Sequence, residues 1–221
     1  MTAFVLQRIS LVVLLSTGLF SPFGCQNTYY AALEQLGYHK RELLVSRVKD
    51  ARDSQEEAKE QFKSALEKFS TVLHFNGGVL EDKYTQLNAE LERSESSASA
   101  VHSRIQAVED VSEALFKEWE AELAQYTSET LRRDSARQLN AARRRYAPLI
   151  RAMQRAEAKI DPVLSAFRDQ VLYLKHNLNA RAIASLQGEL TSIETNIDAL
   201  VREMEAAISE ADTFIKAIGN T

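Results

Sequence analysis

The chain has 221 residues, a formal net charge of −4, and 45% hydrophobic against 26% charged residues. That balance excludes a disordered chain, and the total charge by itself implies no strongly basic or acidic partner. Seven glycines and three prolines are too few turn formers for a many-stranded fold, and the abundant Ala, Leu, Glu, Lys, Arg and Gln favour helix, so the composition predicts an all-α protein.

The first 25 residues differ from the rest. Arg8 is their only charge, and it precedes the run Ile9-Ser10-Leu11-Val12-Val13-Leu14-Leu15-Ser16-Thr17-Gly18-Leu19-Phe20. At about 12 residues this run is short of the roughly 20 that a bilayer span needs and suits the apolar core of an export signal. It ends at Ser21-Pro22-Phe23-Gly24-Cys25, which resembles a bacterial lipoprotein signal. The small residue before the Cys matches that pattern; Pro22 and Phe23 depart from its preference for Leu and a small residue. Cys25 is the sole cysteine, so it has no internal disulfide partner, and it is the candidate lipidation site. The resemblance implies a signal peptide over residues 1–24 and a mature chain over 25–221. Gln26 in place of Asp after the Cys implies an outer-membrane destination. Two or more acyl chains hold a protein stably on a membrane, where one does so only marginally.

The mature part is written in heptads. Leu44, Val48, Ala51, Gln55, Ala58, Phe62, Ala65, Phe69 and Val72 alternate four and three apart, a single stripe on a helix that only Gln55 breaks. Asn76-Gly77-Gly78 is the strongest turn signal in the chain. A second stripe follows: Leu80, Tyr84, Leu87, Leu91, Ser94, Ala98, Val101, Ile105, Val108, Ser112, Leu115 and Trp119, extended through Glu122 to Tyr126. The expected first hairpin therefore covers residues 29–126, with antiparallel arms about 70 Å long at about 1.5 Å per residue.

A second hairpin is expected over residues 130–218. Its first stripe reads Ala142, Tyr146, Leu149, Met153, Ala156, Ile160, Val163 and Phe167, then drifts to Val171, Leu174 and Leu178. Asn177 and Asn179 mark a turn. The last stripe is the cleanest: Ile183, Leu186, Leu190, Ile193, Ile197, Leu200, Met204, Ala207, Ala211, Phe214 and Ile218. Asp161-Pro162 reads as an N-cap followed by a first helical proline, and Pro148 reads as a kink. Ser128 with Leu131 is either a helix cap or part of a continuous rod. Because a two-helix hairpin buries only a stripe, the hairpins are expected to pack together or to self-associate. The fold expected is an elongated four-helix arrangement of long antiparallel coiled-coil hairpins.

Sites of chemistry are scarce. His39, His74, His102 and His176 show no metal-ligand spacing with a carboxylate partner, and no cofactor is expected. Gly77-Gly78 is followed by Val-Leu-Glu-Asp rather than Gly-Lys-Ser/Thr, which argues against a phosphate-binding loop. No nucleophile–base constellation stands out, and the chain reads as a non-enzyme. Residues 167–180 carry apolar side chains on more than one face (Val171, Leu172, Tyr173, Leu174), predicting burial on two sides, in the inter-hairpin core or against a partner surface, with the core preferred.

The charge distribution is more informative than its total. Arg132, Arg133, Arg137, Arg143, Arg144, Arg145, Arg151 and Arg155 crowd one helix, while residues 79–126 and the last helix are acidic. One reading has the basic helix pairing with its acidic neighbours and so fixing the antiparallel arrangement. The other makes these arginines a cationic strip for an anionic partner, since the guanidinium suits phosphate and carboxylate. Nucleic acid is not expected, given the export signal and a basic stretch with no interleaved aromatic except Tyr146.

The stretch Tyr29-Tyr30-Ala31-Ala32-Leu33-Glu34-Gln35-Leu36-Gly37-Tyr38-His39-Lys40-Arg41, the Phe75-Asn76-Gly77-Gly78 turn and residues 167–180 together resemble an uncharacterised family of proteobacterial helical lipoproteins, a domain of unknown function. The resemblance covers nearly all of the mature chain and implies long coiled-coil helices but no catalytic residues. The expectation is a lipid-anchored, periplasm-facing scaffold or adaptor, attached to the membrane through its amino-terminal lipid and engaging an envelope protein. The alternative is a binder of lipid head groups, lipopolysaccharide or peptidoglycan through the arginine-rich helix.

Overall fold

The computed structural model describes residues 39–73, 80–177 and 180–219. They form five helices: α1 (Lys40–Leu73), α2 (Leu80–Glu122), α3 (Glu129–Glu157), α4 (Ile160–His176) and α5 (Ala180–Gly219). No strand occurs among the described residues, and the fold is all-α. The signal segment, Cys25, residues 29–38, His74, Phe75, the Asn76-Gly77-Gly78 turn, Leu178 and Asn179 lie outside the described residues.

Every member of the first stripe from Leu44 to Val72 is buried, Gln55 included. The helix begins at Lys40, where the His39 carbonyl accepts the first bond, from the Leu43 amide at 3.0 Å. In α2 the stripe is buried at Leu87, Leu91, Ser94, Val101, Ile105, Val108 and Ser112. It does not extend to Tyr126: the helix ends at Glu122, a 3-10 turn covers Leu123–Gln125, and Tyr126 is extended and exposed. Ser128 then caps α3, its hydroxyl accepting the Leu131 amide at 3.4 Å, so a cap rather than a continuous rod separates the two hairpins.

The prolines behave differently from each other. α3 runs through Pro148. The carbonyl deprived of a donor there is that of Arg144, whose residue is exposed to solvent. Pro162 coincides with a break: α3 ends at Glu157, and α4 starts at Ile160 with Lys159 as its uncapped N-cap. Asp161 is thus inside the first turn and not the N-cap expected. Pro162 is tolerated because the first-turn amides have no intrahelical acceptor in any case. Ala158 and Lys159 turn back onto Gln154 and Ala156 through bonds of 3.0 and 3.1 Å.

α1 packs on α2 and on α5, and the α3–α4 rod packs on the same two helices. The Lys40–Glu118 ion pair at 2.9 Å and the bond from Gln187 to the Leu73 carbonyl at 2.7 Å fix opposite ends of an up-down-up-down bundle. At 34, 43 and 40 residues, α1, α2 and α5 span about 51, 64 and 60 Å. The choice between an extended rod and a bundle is thus made in favour of one continuous core. It runs from Leu44 and Phe214 at one end to Leu73, Phe167 and Leu186 at the other. Phe69 on α1 meets Phe167 on α4 across the diagonal, with ring centroids 6.2 Å apart. Each fully buried Phe, Leu or Ile contributes about 1.5–3 kcal/mol, and the alanines of α1 add little area but let the helices approach.

Within residues 167–177 only one side enters the core of the bundle, so the preferred core reading does not hold for Leu172 and Tyr173. Val171 and Leu174 are buried, while Leu172 and Tyr173 are 53% and 39% exposed. With about 3.6 residues per turn, 171 and 174 share the core face and the two residues between them turn away.

Candidate functional site

The candidate site is the outward side of α3. Ser135, Leu139, Leu149, Ala152, Met153 and Ala156 face the core. At about 100° per residue, Arg133, Arg144 and Arg151 fall in nearly the same direction on the opposite side, with Arg137 and Arg155 slightly further round. The row from Arg133 to Arg155 is about 33 Å long at about 1.5 Å per residue.

The eight arginines singled out from the sequence divide into groups. Arg132 and Arg133 share Glu129 one turn back, at 2.7 and 3.0 Å, and Arg137 pairs with Asp134. Arg143 reaches α2, where it meets Glu120 at 2.9 Å and lies 5.7 Å from the centre of the Phe116 ring. The hydrogen bond from Arg143 holds the Glu120 carboxyl below the usual carboxylate value. Arg155 reaches α5 and meets Glu203 at 3.2 Å. Among the described residues no ion pair holds Arg144, Arg145 or Arg151. The pairing reading thus describes Arg143 and Arg155, and the partner reading is left with Arg144 and Arg151 on the outer face. Arg145, also exposed, lies at the edge of a cavity.

Two further contacts carry charge between helices: Arg168 to Glu95 at 2.5 Å, from α4 to α2, and Arg52 to Asp212 at 2.9 Å, from α1 to α5. His102 on α2 meets Glu157 at the end of α3 at 2.5 Å, and this bond raises the imidazole pKa. Among the described residues no group of three or more His, Cys, Asp or Glu side chains converges as a metal would need. No described helix is long and apolar enough to cross a membrane.

A second feature was missed in the sequence. Where α1 begins, a cavity of about 380 Å³ lies between α1, α2, α3 and α5. Phe116, Tyr146 and Phe214 stack edge to face beside it, with ring centroids 5.5 and 6.5 Å apart. Burial pushes the Tyr146 phenol above its ordinary pKa, although a hydrogen bond with Ser112 acts in the opposite direction. Trp119 lines the cavity and donates its indole N–H to the Ser135 hydroxyl at 2.8 Å, tying α2 to α3. Its lining residues lie as far apart in sequence as Arg41 and Ile218, and each stripe read alone gave them only the role of core or flank. The one local signal was the pair Ala141-Ala142, small residues where the same face of α4 carries Phe167.

These features define an all-helical bundle with a cationic outer face and a cavity at one end. The family model "Protein of unknown function (DUF2959)" matches residues 29–218. The chain belongs to that family. A search of curated proteins found no match to the chain.

Proposed function

We propose that this protein is a lipid-anchored adaptor of the bacterial cell envelope, facing the periplasm, that works by binding and not by catalysis. Its partner-facing surface is the outer side of α3. The observation that carries the reading is the position of Arg144 and Arg151. Both sit on the solvent face, in line with Arg133, and neither is neutralised by a carboxylate among the described residues. A helix that used its arginines only to fix the bundle would spend them on inter-helix pairs, as Arg143 and Arg155 are spent. The guanidinium row suits a phosphate- or carboxylate-bearing envelope component, to which it can donate bidentate bonds. The sequence Gly24-Cys25 after the apolar run supports the anchor, and Gln26 supports the outer membrane.

The experiment is incorporation of labelled palmitate combined with membrane fractionation, comparing the wild type with Cys25→Ser. Label in the outer-membrane fraction that vanishes in the variant is the expected result. Absence of label, with the protein in the cytoplasm, would overturn the anchor. It would also turn attention to nucleic acid as the partner of the arginine row.

A further inference from the structure

The cavity at the α1 start is not explained by the outer arginine face. Folded cores rarely hold voids larger than a water molecule. The opposite end of this bundle obeys that rule: the space among Ala65, Phe69, Leu87, Leu91, Phe167 and Val171 is about 10 Å³. The difference has a sequence cause. α4 closes its end with Phe167 against Phe69, while α3 brings Ala141 and Ala142 to the cavity.

The walls are apolar: Leu44 from α1, Leu115, Phe116 and Trp119 from α2, and Phe214 and Ile218 from α5. The polar groups lining it are Gln138 and Arg145 of α3 and Arg41 of α1, and no carboxylate of the described residues lines it. The Arg41 guanidinium lies at 3.4 Å from the Ile218 carbonyl, which keeps its charge at the α5 side of the opening. Arg145 and Gln138 are both solvent-exposed and stand about two helical turns apart on nearly the same side of α3, so both lie along the rim that α3 presents. The volume falls in the range of about 300–1,000 Å³ usual for small-molecule sites. A cavity of about 150 Å³ takes one benzene ring, so this one has room for an apolar body on the order of a dozen carbons.

We propose that this cavity binds a single-chain anionic amphiphile, with its chain among the four helices and its carboxylate or phosphate group on Arg145 and Gln138. The apolar walls remove the chain from water. The head group stays at the exposed rim, where the charge-assisted bonds from Arg145 and the amide N–H of Gln138 select an anion over a neutral or cationic head. The site is independent of both the lipid anchor and the outer arginine row.

The protein contains one tryptophan, and it lines the cavity, so the fluorescence of Trp119 reads occupancy directly. The full chain carrying Cys25→Ser, free of any attached acyl chain, is titrated below micellar concentration with dodecanoate, dodecyl phosphate, dodecanol and dodecyltrimethylammonium. Dodecanoate and dodecyl phosphate are expected to give a saturable shift, and the tighter of the two identifies the head group. Dodecanol is expected to bind about tenfold more weakly, the size of one lost charge-assisted bond, and the cation not to bind. Arg145→Gln, a surface change, should weaken both anions by about tenfold and leave dodecanol unchanged. Ala142→Phe should abolish binding of all four; if circular dichroism shows that it fails to fold, Ala141→Leu takes its place. No saturable shift with either anion, equal affinity for dodecanol and dodecanoate, or unchanged anion binding in Arg145→Gln would each overturn the proposal.

Discussion

Trp119 near the end of α2 donates its indole N–H to the hydroxyl of Ser135 in the second turn of α3, at 2.8 Å. The two residues flank the 3-10 turn Leu123–Gln125 and the Ser128 cap, so this side-chain bond closes the junction between the first hairpin and the second, beside the Arg143–Glu120 pair. Ser135 is buried, so its hydroxyl is held away from water where the indole meets it. Ser135→Ala is expected to cost about 1 kcal/mol in urea unfolding, the usual worth of a hydrogen bond whose partner is left behind, and to shift Trp119 emission in the folded state. Unchanged emission would mean that the bond is not made in solution.

Gln55 is fully buried on α1, and among the described residues neither polar atom of its amide has a hydrogen-bond partner. The arrangement is unfavourable because a buried, unsatisfied polar group keeps its full desolvation cost. Gln55→Met keeps the volume and removes the amide, and it is expected to stabilise the bundle by about 1–2 kcal/mol. A destabilised variant in the same urea titration would show that the amide is satisfied in solution. A polar seam residue can also fix helix register. The second expected sign is therefore a less uniform assembly by analytical ultracentrifugation despite the higher stability.

The His102–Glu157 pair links α2 to the break between α3 and α4. The bond to Glu157, followed by its negative charge, raises the imidazole pKa above its ordinary value of 6.5. A folded-state pKa above the unfolded one means that the stabilisation is full below pH 6.5 and is lost as the pH rises through the raised value. The pair is exposed, so the effect on overall stability is small. The direct measurement is an NMR titration of His102. Its midpoint should lie above 6.5 in the wild type and fall back in Glu157→Gln. Equal midpoints in the two proteins would remove the pair from the account of the α3–α4 break.

The arginines of α3 should separate into two classes by mutation. Arg144→Ala with Arg151→Ala removes charges that hold no ion pair among the described residues, so stability should stay within about 0.5 kcal/mol of wild type. Binding to anionic envelope material, followed by co-sedimentation with lipopolysaccharide or with vesicles rich in anionic lipid, should fall and should lose most of its salt dependence. Arg143→Ala with Arg155→Ala should do the reverse. It removes two exposed inter-helix pairs at up to about 1 kcal/mol each and leaves most of the binding. Binding that survives in the first variant and disappears in the second would place the partner on the flanks of α3 and not on its outer face.

The stripes from Leu44 to Val72 and from Leu186 to Phe214 were legible residue by residue, because a helix that buries one side must repeat its apolar positions with the helix's own period. The Ser128 cap was legible only as one of two options, since the same residues fit a continuous rod. Asp161 was misread because the Asp-Pro pair satisfies the rule for a helix start two residues away from where the chain restarts, with Lys159 as the N-cap. Leu172 and Tyr173 were misread for a different reason: apolarity in sequence carries no information on which side lacks a neighbour.

For the candidate site, all eight arginines were visible in the sequence as a cluster. Which of them remain unneutralised was not, because Glu120 and Glu203 are 23 and 48 residues away from the arginines they meet. The cavity was not visible at all. The sequence by itself determined the all-α class, the core-facing stripes and the signal-like start, since these are properties of local order along one chain segment. Only the tertiary structure decided that two hairpins share one core, which arginines face outward with no carboxylate partner among the described residues, and that Ala141 and Ala142 leave a space between four helices. Those facts depend on distances between segments up to 177 residues apart, and no local period records them.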